Sequence, residues 1–422
     1  MNTLCYFVEG EIYDKSCVPK SFIEKEYFKE IPKETDKCVL KVCGIVSIDP
    51  KDYIFFPKAY NINQDDKKLR NTGGVLFQAL LKYKDSVRLL DEESDWLGNK
   101  NNDIKHLNLI QWLLNDYIQN GLYKVSERLV EENGKGRIEW TRTIKTKLPF
   151  IIGNQFSYLN LVTSKNNITS DHIISNIHEK IILECIRDFG WLFGLNDTGK
   201  FIDVNIDKSQ QIVVLKKKLK ETFTGREIRL LQQLIAYIEK SFGEKSDFVM
   251  VTPYFYAIWE EMLKCQLGHD ERLSNLMAKP YWKIGDEKSY TRQIPDILIE
   301  NNRDLIILDA KYYSTIDNIP MFEDEDIKRE KLPGWGSVVK QLYYNLSLKD
   351  KGYENIKNIF LLPKSLENEE FEYIGYTSVD GKEEEFSYVL AFWMDIDVVL
   401  QDYVRSRNRN KDLFEAIVSS TN

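Results

Sequence analysis

Polar and apolar positions alternate over the first 60 residues. The pattern predicts short strands over Thr3–Val8, Val39–Ser47 and Asp52–Phe56, set apart by Pro19, Pro32, Pro50 and Pro57. Beyond Asn71 the apolar positions change to helical spacing. Thr72-Gly73-Gly74 opens a predicted helix over Val75–Tyr83. A stronger helix follows, with Leu107, Ile110, Leu113, Leu114 and Tyr117 on one face and Asn120-Gly121 as a left-handed stop. Leu122–Glu131 then reads as a strand, Asn133–Gly136 as a turn, and Arg137–Ile144 as a second strand. This helix–helix–hairpin order over residues 70–150 is winged-helix-like and makes the segment a candidate recognition unit; the alternative is a structural subdomain that positions the C-terminal part.

Residues 171–195 form the next helical segment, carried by Ile174, Ile177, Ile181, Ile182, Cys185 and Ile186. The run Lys216-Lys217-Lys218-Leu219-Lys220 is read as a solvated helix end rather than a phosphate site. Arg226–Phe242 is amphipathic, and Gly243–Asp247 looks like a boundary loop. Helices and strands then mix, which indicates an α/β (α+β overall) chain. The expected division is 1–225, a β-rich and helical N-terminal region, and 226–422, a C-terminal domain.

With 422 residues, 43% of them apolar, the chain can bury more than one core. Its net charge, 58 − 66 = −8, argues against tight, non-specific coating of DNA but leaves room for a local basic patch. The densest such stretch, Arg405–Lys411, could reach a DNA backbone or serve as a solvated connector after a helix beginning near Asp395. Cys5, Cys17, Cys38, Cys43, Cys185 and Cys265 form no Cys-x-x-Cys pair and are expected to be reduced, buried thiols. His106, His172, His178 and His269 are scattered, with Asp171-His172 and His178 near one helix, and no zinc or histidine-based chemistry is expected of them. No signal peptide and no apolar run of about 20 residues is present, so the cytoplasm and no membrane are expected.

Candidate chemistry is concentrated in one place. Strand Ile294–Ile299 and strand Leu305–Lys311 are joined by a short polar link. With the turn centred between Asn302 and Arg303, Leu305 faces Glu300, Ile307 faces Leu298, and Asp309 faces Asp296. Lys311 shares the face of Asp309, and Ala310 points away but offers its backbone carbonyl. Two carboxylates and a carbonyl suit hard Mg²⁺, with Mn²⁺ as a substitute. Such a metal stabilises charge on a phosphate and acidifies water, while Lys311 positions that water or stabilises the transition state. Asp309 ends an apolar strand, where a charge is costly without a partner. A helix over Pro253–Leu263 places Glu260 as a further carboxylate and possible third ligand, and a helix over Val338–Leu346 places Gln341 to orient a water or contact a phosphate.

The series Pro295-Asp296, Asp309-Ala310-Lys311 and Gln341-x-x-Tyr344 resembles the PD-(D/E)xK nuclease superfamily. Trp259-Glu260, the ending Asp309–Tyr313, and Gly136-Arg137-Ile138-x-Trp140-x-x-Thr143-Ile144 look like the branch holding McrC-like proteins and the LlaJI restriction endonuclease family. The superfamily likeness spans about residues 250–395, and the narrower one adds the hairpin before 150. It implies a restriction-endonuclease-like core of mixed sheet flanked by helices, with Asp296 and Asp309 as metal ligands, Lys311 catalytic and Glu260 supporting. It implies cleavage of double-stranded DNA in defence against phage, with a separate AAA+ GTPase or ATPase (McrB-like) as partner. The chain lacks a Gly-x-x-x-x-Gly-Lys-Ser/Thr loop and is not that motor. Cutting both strands requires two active sites, which a homodimer supplies, or two visits by one. The alternatives are a stand-alone sequence-specific type II enzyme and a non-catalytic DNA-binding or assembly subunit. The N-terminal half matches the family least and is the expected place for DNA recognition or partner docking.

Overall fold

The N-terminal alternation does produce strands, but the run Val39–Ser47 breaks at Lys41-Val42 and serves two sheets. Its first half belongs to strand Glu34–Leu40, which pairs with Ile12–Asp14 and Phe28–Ile31. Its second half, β2 (Cys43–Ile48), lies between β3 (Lys51–Phe56) and β4 (Phe248–Thr252), with β1 (Thr3–Val8) parallel to β3 at the edge. The core beside these sheets is aromatic. Phe22 meets Tyr53 edge-on at 4.8 Å and Phe7 meets Phe28 at 5.5 Å, the geometry that ring quadrupoles favour. The computed structural model describes residues 3–420 apart from 33, 49–50, 88–92, 94–95, 98–101, 154, 170–172, 241–247, 292–293, 302, 314–331 and 368.

Strand β4 comes 192 residues after the end of β3 (248 − 56) yet completes the same sheet. The chain therefore forms two compact units that cross its sequence order: Met1–Ile104 with Trp191–Gly194 and Ser246–Asn422, and Lys105–Gly190 with Leu195–Lys245. The expected division at 225/226 falls at the start of helix Gly225–Lys240, inside the second unit.

In the first unit, α1 (Asp66–Ser86) begins well before Thr72. Gly73 and Gly74 are therefore interior to the helix and do not open it. They are there for close approach: a Cβ on Gly73 would lie 2.4 Å from Ile54 Cδ1, and one on Gly74 2.5 Å from the Trp191 carbonyl oxygen. After β4 come α2 (Phe255–Leu267), β5 (Ile297–Asn301), β6 (Asp304–Ala310), α3 (Trp335–Leu348), β7 (Asn355–Lys364), β8 (Phe371–Thr377), β9 (Val389–Asp395) and α4 (Ile396–Arg405). The sheet order is β5-β6-β7-β9-β8, with β6, β7 and β9 parallel and the two edges antiparallel. Leu298, Leu305 and Ile307 pack under Tyr344 and Leu348 of α3, and the alternate residues Ile297, Ile299, Ile306 and Leu308 are buried too. Helix α2 packs against β5 and β6. The expected mixed sheet flanked by helices is what the chain adopts.

In the second unit, helix Asn102–Asn120 (from Lys105 on) is followed by strand Val125–Glu132, as expected. That strand pairs with Val162–Thr169 rather than with the segment after its turn. The predicted second strand is limited to Arg137–Ile138, and Trp140–Thr146 is helical. The alternation misled because Trp140 and Ile144 are exposed, while the buried residue is Thr143, whose hydroxyl accepts the Val162 N–H at 3.0 Å. The helix–helix–hairpin grouping over 70–150 is divided between the two units.

His178 is buried in the second unit and accepts the Tyr123 N–H at 3.0 Å; burial lowers its pKa to about 4, so it is a neutral structural group. Lys216 pairs with Glu239 at 2.9 Å, as a solvated helix end does. Cys38, Cys43 and Cys185 are buried, but Cys17 and Cys265 are exposed, against expectation. Gly243–Asp247 and Asp171-His172 lie outside the described residues, as does the side chain of His106. Among the described residues no helix is long and apolar enough to cross a membrane.

Gly→Ala inside a helix ordinarily stabilises by about 1 kcal/mol. At Gly74 the sign reverses, because the new Cβ meets a backbone carbonyl. Gly74→Ala is expected to destabilise by roughly 1–3 kcal/mol, as overpacking does, read as a lower urea midpoint at unchanged slope.

Candidate active site

Register assembles the site. Glu300 pairs with Leu305, Leu298 with Ile307 and Ile297 with Leu308. The ladder ends at that last pair; the same register carried one step further would set Asp296 opposite Asp309, and the two carboxylates are close enough for Asp309 to raise the Asp296 pKa. The Ala310 N–H donates to Asp296 Oδ2 at 2.9 Å and holds that carboxylate at the strand end.

Asp309 is 1% exposed, and among the described residues neither of its oxygens receives a directed hydrogen bond. Its charge is met by two ammonium groups instead. Lys311 forms an ion pair with Oδ2, and Lys340 from α3 lies 3.7 Å from Oδ1. Burial raises the Asp296 pKa to about 7; Asp309 and Glu260 push the same way, and Lys340 and the Ala310 N–H oppose them. Burial disfavours charge on Lys340, yet Asp309, Tyr344 and Asp296 outweigh it and hold its pKa above the ordinary value. Two carboxylates and two ammonium groups thus share one low-dielectric corner.

The backbone around Lys311 is tied on both sides. Its N–H donates to the Leu361 carbonyl at 2.9 Å, which extends the β6–β7 ladder. Next to it, the Tyr312 hydroxyl donates to Glu9 Oε2 at 2.7 Å and accepts the Lys58 N–H at 2.9 Å. Burial raises the Glu9 pKa to about 7 against the pull of Lys58 and Tyr312. The N-terminal strands therefore clamp the end of the Asp-x-Lys segment.

Of the other expected site residues, Glu260 forms an ion pair with Lys264 one helical turn away at 2.5 Å. Among the described residues no group of three or more His, Cys, Asp or Glu side chains is close enough to hold a metal, so Glu260 is near the pair but not assembled with it. Gln341 is fully buried on α3, and among the described residues neither end of its amide has a hydrogen-bond partner, whereas the Tyr344 hydroxyl faces the Lys340 ammonium. Buried polar atoms are rarely left in this state without a ligand, water or ion to satisfy them.

Asp309's undirected oxygens, the Asp296 carboxylate and the Ala310 carbonyl are an all-oxygen donor set that fits a hard divalent cation. A cation there would also offset the repulsion between the two carboxylates. Beside Asp296 opens a cleft of ≈ 500 Å³, lined among others by Lys264, His269, Ser274, Lys279 and Pro295. His269 Nδ1 accepts the Leu298 N–H at 3.0 Å, which fixes one wall of the cleft to β5.

Lys340 was not among the residues expected at the site. Its only sequence signal is its position in Val338–Leu346, one residue before Gln341 and four before Tyr344. Within the basic stretch Arg405–Lys411, Arg409 is buried and ion-paired with Asp402, Glu370 and Asp412. That residue is structural and does not reach toward DNA; Arg405, Arg407 and Lys411 remain exposed.

The model of the LlaJI restriction endonuclease family matches residues 42–397. A curated relative, the type II restriction enzyme BsuMI component YdjA of Bacillus subtilis (strain 168), is 25% identical over 411 residues, covering 91% of this chain and 84% of that protein. Among solved structures, a half-complex of Thermococcus gammatolerans McrB AAA+ hexamers with bound McrC aligns at 11% identity and a TM-score of 0.30, covering 96% of this chain and 99% of that one. The Thermococcus gammatolerans McrBC complex aligns at 11% identity and a TM-score of 0.25, covering 62% and 86%. Scores at this level do not define a shared fold.

Asp296→Asn keeps an acceptor for the Ala310 N–H and removes a carboxylate raised to about 7. A carboxyl raised on folding binds more protons in the native state, so wild-type stability falls as pH rises from about 4 through about 7. In EDTA at pH 8 the variant is expected to unfold at or above the wild-type midpoint, with the gain vanishing near pH 4. Millimolar Mg²⁺ or Mn²⁺ should raise the wild-type midpoint by ligand linkage and leave the variant unmoved.

Proposed function

The chain belongs to the LlaJI restriction endonuclease family, and we propose from that membership and from the Asp296–Asp309–Lys311 cluster that it is the Mg²⁺-dependent endonuclease component of a restriction system, hydrolysing phosphodiester bonds in double-stranded DNA. The observation that carries the reading is Asp309, a buried carboxylate without directed hydrogen bonds among the described residues, beside Asp296 and paired with Lys311. This arrangement supports the reading of a PD-(D/E)xK nuclease.

Asp296, Asp309 and the Ala310 carbonyl would hold the cation. When bound, it supplies positive charge at the phosphodiester and acidifies water. Asp309 is held at the strand end by burial and register, so the oxygen donors are in place before substrate arrives. Lys311, paired with Asp309, would supply the ammonium that stabilises the developing charge on the phosphate. Lys340 balances the remaining carboxylate charge. Gln341 offers an unsatisfied amide to a water or a phosphate oxygen from the covering helix.

The BsuMI relative is named as one component of an enzyme, which supports a chain that acts with others. The proposed partner is a separate AAA+ NTPase, because this chain carries no Gly-x-x-x-x-Gly-Lys-Ser/Thr phosphate loop.

Plasmid cleavage by the purified chain with Mg²⁺, with and without a purified AAA+ neighbour and GTP or ATP, tests this reading. Cleavage that requires the neighbour and nucleotide is expected; cleavage by the chain alone would make it a stand-alone enzyme. Asp309→Ala should lower cleavage by about 10³-fold or more, the several kcal/mol a metal contributes, with DNA binding retained. Persistent cleavage would refute the assignment.

A further inference from the structure

Between the cleft-lining residues Lys279 and Ile294 the chain makes a two-stranded ribbon, Tyr281–Ile284 paired with Glu287–Tyr290 through Gly285-Asp286, where Gly285 adopts φ +62°. A two-residue loop with a left-handed glycine matches the twist of such a hairpin. All eight strand residues are exposed, and Tyr281, Trp282, Ile284 and Tyr290 are between 50% and 73% exposed. An isolated two-stranded ribbon is marginal in water, and this one shows its aromatic side chains to solvent.

The register gives the ribbon two different faces. Tyr281 opposes Tyr290 and Lys283 opposes Lys288 on one face; Trp282, Ile284, Glu287 and Ser289 lie on the other. Two lysines directly opposite one another destabilise a strand pair. Lys288 also lies 4.2 Å over the Tyr281 ring, so the charge and the aromatic surface are contiguous. The acidic residues Asp286 and Glu287 are kept to the turn and the other face. On a chain of net charge −8, one face of this ribbon is basic and aromatic, while the ribbon as a whole is neutral.

The ribbon is rooted in the site. The Tyr343 hydroxyl of α3 donates to the Ala278 carbonyl at 2.9 Å, and Met277 is buried against Tyr344 and Leu348. The Thr291 N–H closes the base on the Pro280 carbonyl at 2.8 Å. At one end the chain leads to Lys279, and at the other to Pro295 and Asp296, all on the wall of the same cleft.

We propose that the ribbon Tyr281–Tyr290 is a DNA-binding element that lies in a groove of the duplex beside the scissile phosphodiester, with Lys283 and Lys288 on backbone phosphates and Tyr281 and Tyr290 against the sugars and base edges. A two-stranded β-ribbon fits the major groove, and phosphate contacts of this kind fix orientation rather than sequence. The opposed lysines are then relieved by the anion they bind. The inference rests on the endonuclease reading above, since it places substrate next to Asp296.

The test is binding of the full-length protein to a fluorescent 30-base-pair duplex in EDTA, followed across salt. Lys283→Ser/Lys288→Ser should weaken binding about 10-fold at 0.1 M salt and reduce the slope of log K against log salt by about 2, near 0.9 per phosphate contact. Its unfolding midpoint should not fall, because a like-charge pair is removed, and Lys283→Arg/Lys288→Arg should restore affinity. Lys288→Gln alone, with half the slope change, covers the case in which the double variant does not fold. Wild-type affinity and slope in the variants would overturn the ribbon's role, as would lost association with a protein partner at unchanged DNA binding. The endonuclease reading would survive either result so long as wild-type protein, with its AAA+ neighbour, still cleaves. Failure of the wild type to bind or cleave duplex DNA would overturn both.

Discussion

A carboxylate buried at the end of an apolar strand is the constraint on which the structure turns. Asp309 is 1% exposed, and an isolated charge in such a place is prohibitive. The chain meets it with Lys311 two residues on and Lys340 from the covering helix. Both contacts are ion pairs, and among the described residues no directed hydrogen bond reaches either oxygen. Here the sheet, the covering helix and the strand register all act to keep two carboxylates close and incompletely satisfied.

The same logic explains why the first hundred residues fold together with the last 177 (Ser246–Asn422). Tyr312, adjacent to Lys311, donates its hydroxyl to Glu9 just beyond the first strand, and its ring lies tilted against Phe255 at 5.5 Å. Strand β4, which leads into α2, is itself part of the N-terminal sheet. The catalytic lysine proposed here is thus held between its own sheet, through Leu361, and a second sheet built from the opposite end of the chain. The family match, residues 42–397, covers the five-stranded sheet and strands β2–β4 of the other, but not β1 or Glu9.

Local rules sufficed for much of this. The polar link and alternation around residues 294–311 were enough to derive the Asp296–Asp309 register, because a short hairpin leaves little freedom once its turn is placed. Helices α2 and α3 and the start of α4 near Asp395 were also read from the sequence. What failed depended on partners distant in sequence. Trp140–Thr146 alternates like a strand but is a helix held by Thr143 to Val162. Gly73 and Gly74 read as a helix start because Ile54 and Trp191, which require the missing side chains, are invisible to a local window. Lys340 reaches Asp309 only because α3 crosses that face of the sheet. The grouping of the chain into units was hidden for the same reason: β4 pairs with β2 across some two hundred residues.

The donor set defined by Asp296, Asp309 and the Ala310 carbonyl can be interrogated without reference to activity. Anomalous diffraction at the manganese edge, from crystals of the full-length protein soaked in Mn²⁺, locates the cation directly. A peak bounded by the Asp296 and Asp309 carboxylates, with Lys311 withdrawn from Asp309, is the expected result. A Mn²⁺-loaded crystal with no peak between these carboxylates, and Lys311 still paired with Asp309, would contradict the assignment of this hairpin as the metal-dependent catalytic centre.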